Sequence, residues 1–173
     1  MAEPTRRDRP KMPDGYGVPE TDDGLLDWAE VEARLVHAGE YWMATTRPDG
    51  RPHVVPRWGV WIDHHLYYDG APTTVHARNA SANQACALHL GDGRESSIII
   101  EGRGGRSEPL RNDLAQLGER VAAEIGRKYA ERGYSPDADP WSDDEAGGLM
   151  RFNSAKALAW FSFPTDLTRF HFG

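Results

Sequence analysis

Apolar positions along the chain change period several times, and each change marks an element. Trp28, Val31, Leu35 and Ala38 recur at helical spacing. The helix they predict carries its own end signals. Asp27 precedes it with Glu30 three residues on, Leu26 and Val31 can staple its entry, and Gly39 stops it. The period then falls to two. Trp42–Thr46 reads as a short strand, and Pro48-Asp49-Gly50 supplies hairpin chemistry. His53–Ile62 reads as a second, long strand interrupted by Pro56. A proline removes a ladder donor, so this strand needs a sheet edge or a bulge there. Asp63-His64-His65 then turns the chain into a third strand, Leu66–Asp69.

Thr74–Asn83 reads as a short helix with a threonine at its start. Ala85–Leu90 and Ser96–Gly102 are strands joined by Gly91-Asp92-Gly93, and Ile98-Ile99-Ile100 is the most β-prone run in the chain. A long helix follows, with Leu110, Leu114, Leu117, Val121, Ile125 and Tyr129 on one stripe and Pro109 in its first turn. Residues 133–148 form an acidic loop without the alternating ligand register of a calcium site. Leu149–Phe152, Ala157–Phe163 and Leu167–Phe172 read as the last strands, with a turn at Pro164-Thr165-Asp166. Residues 1–23, rich in Pro, Asp and Arg and without period, read as a flexible arm ahead of one domain, 24–173. Seven or eight strands joined by tight turns, with two or three helices, predict a mainly β, antiparallel barrel. Its edges need closure or a partner.

Composition narrows the function classes. The 173 residues suit one domain with a real core. A formal net charge of -7 makes nucleic acid a poor partner, because phosphate neutralisation drives that affinity. Cys86 is the one cysteine, so no intrachain disulfide exists, and its neighbours Ala85, Ala87 and Leu88 mark a buried strand thiol. No apolar run approaches ~18 residues, so no helix is expected to span a membrane. The N-terminal stretch lacks the apolar core of a secretory signal, and these features together point to the cytoplasm. His64-His65 has no cysteine or third histidine at ligand spacing, so no metal site is expected. No Ser-His-Asp or paired-carboxylate arrangement stands out.

Four segments carry a family resemblance: ATTRPDGRPHVVPRWGVW (Ala44–Trp61), LYYDGAPTTVHARN (Leu66–Asn79), SIIIEG (Ser97–Gly102) and AWFSFPTDLTRFHF (Ala159–Phe172). Together they resemble the flavin/deazaflavin oxidoreductase superfamily, the pyridoxamine 5'-phosphate oxidase-like group. The resemblance runs from about Trp28 to the end. It implies a Greek-key-like split β-barrel that forms a homodimer and holds its cofactor, FMN or the deazaflavin coenzyme F-420, in a groove between subunits. It also implies that backbone amides of the second strand, about Val54 to Trp58, face the polar edge of the ring. Groups at the start of the short helix would hold the phosphate, where free N–H groups point outward. The chain departs from that pattern where relatives often carry a Ser/Thr-Arg-Lys run. Here Thr74-Val75-His76 is followed by Arg78-Asn79.

The candidate cofactor residues are therefore His53, Val54, Val55, Pro56, Arg57, Trp58, Thr73, Thr74, His76, Arg78 and Asn79. Each has a plainer rival. Thr73 and Thr74 suit phosphate or a helix cap. Arg78 suits phosphate or an exposed helix face, and Arg57 suits phosphate or an interface ion pair. Asn79 suits the site or a helix end, and His53 and His76 suit ring or phosphate contacts or plain surface positions. Trp58, Trp61, Tyr67 and Tyr68 suit the groove or the core. His53, Arg57 and Tyr68 are the candidates for a general acid, none of them singled out. The expected function is hydride transfer between a flavin-type cofactor and a small, planar conjugated substrate, with the cofactor supplying the chemistry. The arginine-rich composition and the His53–Trp58 strand favour the deazaflavin over FMN. Its acidic tail requires a local basic groove, for which Arg51, Arg57, Arg78, Arg6 and Arg7 are available. The alternative is a non-catalytic barrel that binds flavin, haem or another tetrapyrrole.

Overall fold

A computed structural model describes residues 3–91, 95–106, 114–138, 141 and 148–173. Its strands are β1 (Arg6–Asp8), β2 (Tyr41–Thr46), β3 (Pro52–Arg57), β4 (Val60–Ile62), β5 (His65–Asp69), β6 (Ala85–Gly91), β7 (Ser97–Arg106), β8 (Leu149–Trp160) and β9 (Thr168–His171). The helices are α1 (Trp28–His37), α2 (Val75–Ala82) and α3 (Leu114–Lys128). The path of the sheet is β1-β9-β8-β7-β6-β2-β3, with β5 joining β4 to the start of β8. Every pairing is antiparallel, and the sheet does not close. This is a split barrel, mainly β and antiparallel as the pattern predicts, and split as the resemblance implies.

The hairpin between β2 and β3 fixes what β3 can do. Gly50 N–H donates to Arg47 O at 2.9 Å, Arg47 N–H donates to Arg51 O at 2.9 Å, and Gly50 takes φ +84°. Counting along the register from the Arg47–Arg51 pair, His53, Val55 and Arg57 bond to Thr45, Met43 and Tyr41. Pro52, Val54 and Pro56 face the open edge. Both prolines thus sit where no ladder donor is needed, which is why this strand tolerates them.

The single strand predicted over His53–Ile62 is two. The chain breaks at Gly59, where an added Cβ would lie 2.5 Å from Tyr67 O and 2.9 Å from Leu66 Cδ1. Only glycine fits so close a crossing. Tyr129 hydroxyl donates to Gly59 O and accepts from Gly59 N–H, each at 3.0 Å, and Lys128 Nζ also donates to Gly59 O at 3.0 Å. Conversely, the predicted Leu149–Phe152 and Ala157–Phe163 are one strand. The polar run between them is a bulge: the register against β7 steps from Glu101–Lys156 to Gly102–Ser154, leaving Ala155 extra. Phe172 N–H donates to Ala155 O at 3.0 Å and satisfies it. At Gly102 an added Cβ would lie 2.1 Å from Asn153 O.

Two apolar clusters hold the layers. One fills the barrel, with Tyr41, Met43, Leu66, Tyr68, Leu88, Ile100, Phe152 and Phe170 capped by Trp28, Val31 and Leu35 of α1. The other lies outside it, where Val121, Ile125, Tyr129 and Trp141 cover Val60, Ile62, Tyr67 and Leu149. The capping box of Asp27 and Glu30 is present as read, with Asp27 N–H donating to Glu30 Oε2 at 3.4 Å, and Arg7 also engages the Asp27 carboxylate. Cys86 is buried, and burial pushes its thiol up to about 12. Pro109, Leu110, Asp92, Gly93 and much of the 133–148 loop lie outside the described residues. Among those described, no helix is long and apolar enough to cross a membrane.

The segment read as a flexible arm contains structure. β1 lies along β9, and Asp8 binds Arg169 Nε at 2.7 Å, which together with Arg6 and His171 holds its carboxyl below the usual range. Arg9 donates to four carbonyls: Thr21 at 3.1 Å, Asp23 at 2.6 Å, Thr165 at 2.8 Å and Leu167 at 3.0 Å. An aperiodic, proline-rich segment hides this, because one side chain closes the loop rather than a run of apolar residues. Arg9→Ala is expected to lower stability by about 1–2 kcal/mol and to open residues 10–23 to trypsin at Lys11. A digestion pattern identical to wild type would show that Arg9 does not hold the loop.

Lys128 gives a second test. Its Nζ bonds Gly59 O at 3.0 Å and Tyr41 hydroxyl at 3.2 Å, and burial lowers its pKa from 10.5 to about 8. The folded value lies below the unfolded one, so between about pH 8 and pH 10.5 the unfolded chain holds more protons. In that window this group's contribution to stability rises with pH; below about pH 8 its burial cost is present in full. Relative to Lys128→Met, wild type should gain about 2 kcal/mol across the window, after allowing for partial solvent screening. Denaturant curves for the two proteins that run parallel through it would refute the shift.

Candidate functional site

Strand parity turns His53, Val55 and Arg57 inward, half-buried, and leaves Pro52, Val54 and Pro56 exposed. Opposite Arg57 lies the end of β5, Tyr68-Asp69-Gly70. Arg57 Nη2 donates to the Asp69 carbonyl, and Tyr134 hydroxyl donates to the Asp69 carboxylate. The guanidinium carbon stands 5.5 Å from the centre of the buried Tyr68 ring. Gly70 makes the convergence possible: a Cβ there would meet Arg57 Nη2 at 3.2 Å and His76 Nε2 at 3.3 Å.

His76 sits in the first turn of α2 and is only 4% exposed. Burial, then the charge of Arg57, then His53, lower its pKa to about 4, so the imidazole is neutral at neutral pH. Three buried polar atoms near it have no partner: His53 Nδ1, Arg57 Nε and Tyr68 hydroxyl. Burial pushes the Tyr68 phenol up, so it stays protonated and can only donate or accept a hydrogen bond. One fixed cation, the neutral His76 imidazole, the His53 ring and a phenol therefore line a polar recess beside the open edge of β3.

The other expected residues take different places. Thr74 precedes α2, but its hydroxyl donates to Ala71 O at 2.8 Å and does not cap the helix, and Thr73 is exposed. Asn79 is buried behind the recess and donates to Thr45 Oγ1 at 3.0 Å; Thr45 in turn donates to His53 O at 3.4 Å. Arg78 is on the exposed side of α2, away from His76, Asn79 and Ala80. Trp58 turns onto α3, stacked on Tyr129 at 5.0 Å and 12°, with Tyr134 at 5.4 Å and Arg132 over its ring. The expectation of edge amides from Val54 to Trp58 is corrected by the register. Val55 and Arg57 bond to β2, Pro56 has no N–H, and Val54 is left as the edge donor of β3. Sequence reasoning missed Gly70, Asp69 and Tyr134. Tyr134 lies in the acidic loop 133–148, and a lone tyrosine in that run was its only signal.

A cavity of about 400 Å³ lies elsewhere, between the end of α1 and strands β2, β6 and β7, and none of the converging groups lines it. The converging polar groups lie instead where β3, β5 and α2 meet.

An open antiparallel sheet with this recess at its edge defines a split barrel of the flavin-binding kind. The profile described as pyridoxamine 5'-phosphate oxidase matches residues 28–146, and the chain belongs to that family. Among curated proteins nothing matches. Solved structures share the fold at low identity. A conserved hypothetical protein from Mycobacterium tuberculosis is 20% identical with a TM-score of 0.60, over 83% of this chain and 89% of that one. A NimC/NimA family protein from Clostridium acetobutylicum is 17% identical with a TM-score of 0.61, over 83% and 91%. An FAD-binding protein from Mesorhizobium loti is 18% identical with a TM-score of 0.57, over 86% and 96%.

Asn79 separates framework from ligand contact. Asn79→Ala removes a buried hydrogen bond between α2 and β2 and should cost about 1–2 kcal/mol of stability, read by denaturant unfolding. Flavin affinity should move by less than threefold. A large loss of affinity with unchanged stability would instead make Asn79 a ligand contact.

Proposed function

We propose that the protein is an oxidoreductase that transfers a hydride between a bound flavin-type cofactor and a small conjugated substrate, working as a homodimer with the cofactor along the open edge of β3. The observation that carries this is the convergence of unpartnered buried donors and acceptors, Arg57 Nε, His53 Nδ1 and the Tyr68 hydroxyl, beside that edge. Buried polar atoms cost about 1–3 kcal/mol each when unpaired, so a polar ligand group is their natural partner. Arg57 is the cation that would meet the cofactor's phosphate, with Gly70 allowing close approach. Arg78 faces away. Val54 N–H would meet an acceptor on the ring. When bound, the cofactor supplies the hydride chemistry, and the chain's residues position it and exclude water.

Assembly follows from the same edge. Trp42 is 44% exposed and Val54 55% exposed, and Trp42 pairs with Pro56 in the β2–β3 register. An apolar face of this kind on an open edge suits a second copy of the chain. The deazaflavin is the favoured cofactor. Its phosphate is a diester with one charge, which matches a recess holding one fixed cation and a neutral His76. FMN presents a monoester with up to two. A non-catalytic flavin or tetrapyrrole binder is the second reading. Thr74-Val75-His76, standing where the resemblance implies a Ser/Thr-Arg-Lys run, favours it, and consumption of reduced cofactor with an added acceptor separates the two.

Side-by-side fluorescence titrations of cofactor-free protein should give micromolar or tighter binding of the deazaflavin and weaker binding of FMN. Arg57→Ala should weaken the tighter ligand by about 1–3 kcal/mol, and Arg78→Ala should leave it unchanged. Binding of neither cofactor by wild type would defeat the reading.

A further inference from the structure

We propose that His76 makes this recess select anions by charge: neutral beside Arg57, it admits a singly charged group as it stands and takes up a proton to admit a doubly charged one. The inference deepens the cofactor reading above, because it concerns the same recess.

The geometry comes first. His76 Nε2 and Arg57 Nη2 both stand within 3.3 Å of the point where a Gly70 side chain would begin. An anion entering past Gly70 would meet the two together. Among the described residues, the titratable groups shown to act on His76 are His53 and Arg57 from β3, with the Tyr68 ring from β5 beside it and the Cys86 thiol behind Tyr68; from β2, Thr45 is uncharged and bonds Asn79. Arg78 is on the exposed side of α2. The Asp69 carboxylate is engaged by Tyr134. Burial keeps the Tyr68 and Cys86 side chains protonated. With no ligand, therefore, the imidazole faces a fixed positive charge and a dry wall, and both disfavour its protonation.

The proton's destination is also fixed. Thr74 hydroxyl donates its hydrogen to Ala71 O at 2.8 Å, so at 3.5 Å it offers His76 Nε2 a lone pair. That arrangement assigns the resident proton to Nε2, and Nδ1 takes the second from solvent. The free-state pKa of about 4 is the starting point. An opposite charge within hydrogen-bond reach raises a pKa by about 1–3 units, and two charges raise it further than one. A dianion brings the imidazole to the edge of neutral pH; a monoanion, already matched by Arg57, does not.

Sulfate and methyl sulfate test this, since neither changes charge over the working range. Calorimetry in two buffers of different protonation enthalpy reads proton uptake directly on wild-type protein. Sulfate is expected to bind about tenfold tighter at about pH 5.5 than at about pH 7.5, with proton uptake, and methyl sulfate to change by less than threefold. His76→Lys should bind sulfate independently of pH, and His76→Gln should lose the uptake. Equal pH profiles for the two anions, sulfate binding without proton uptake, or no sulfate binding would each overturn the proposal. Competition separates it from the cofactor reading. If sulfate binds with proton uptake but does not displace FMN or the deazaflavin, the charge selection stands and the cofactor lies elsewhere. If sulfate displaces the cofactor without uptake, the cofactor reading stands and the role of His76 falls.

Discussion

The break at Gly59 is the constraint on which the architecture turns. The backbone passes so close to Tyr67 O that a side chain has no room, and both peptide groups of Gly59 are bound by Tyr129 from outside the barrel. β3 ends at Arg57, opposite Tyr41 where β2 begins, and past the break the chain continues as β4 on β5. The break also shapes the site. Arg57 and Trp58 are the last residues before the break, and the turn sends them to opposite sides, one to Asp69 and Gly70, the other onto α3. A helix far along the chain therefore sets the aim of a cation on an edge strand. This coupling is long-range, and its cost in chain entropy is met by the apolar cover of Val121, Ile125 and Trp141 over Val60 and Ile62.

Two arginines show how differently one side chain can be used. Arg9 spends its donors on four backbone carbonyls and is consumed by structure. Arg57 is held at one nitrogen by a carbonyl while its Nε is buried without a partner. A fully satisfied guanidinium has little left for a ligand. A half-satisfied one, half-buried beside neutral groups in reduced dielectric, has a field that is poorly screened. The chain's net charge of -7 does not weaken this, because screening over about 8 Å confines each charge to its neighbourhood. Local cation count, not the global balance, sets the field at the recess.

Much of this was legible in the amino acids, and the exceptions share a reason. α1 was readable from its stripe and end signals, and the Pro-Asp-Gly hairpin from its turn residues. Pro56 announced an edge, and the edge is there. The inward facing of His53 and Arg57 follows from alternation once the hairpin register is known. What escaped reading depended on contacts between distant segments. Gly59 looks like an ordinary strand glycine until Tyr67 and Tyr129 are placed around it. The polar run Asn153-Ser154-Ala155-Lys156 resembles a turn, and only the Phe172 amide reveals it as a bulge. Gly70 and Tyr134 matter because of what lies across from them, which no local pattern records. Arg78 shows what residue type alone leaves out: it suggested a phosphate ligand, and helical phase places it on the exposed side of α2, away from the buried His76 and Asn79.

Phase also explains why His76, and no other position of α2, is placed to alter the recess. A buried face on an eight-residue helix offers few positions. Here they are His76, Ala77, Asn79 and Ala80. Asn79 is committed to Thr45, and the alanines pack against the sheet. Only the first-turn position combines burial with a polar side chain and a neighbour of fixed charge. A lysine there would carry its charge regardless of what the recess holds. An imidazole carries charge only when its surroundings supply the compensating one. On the proposal above, an imidazole at this position would carry a conditional charge beside a guanidinium whose Nε has no partner.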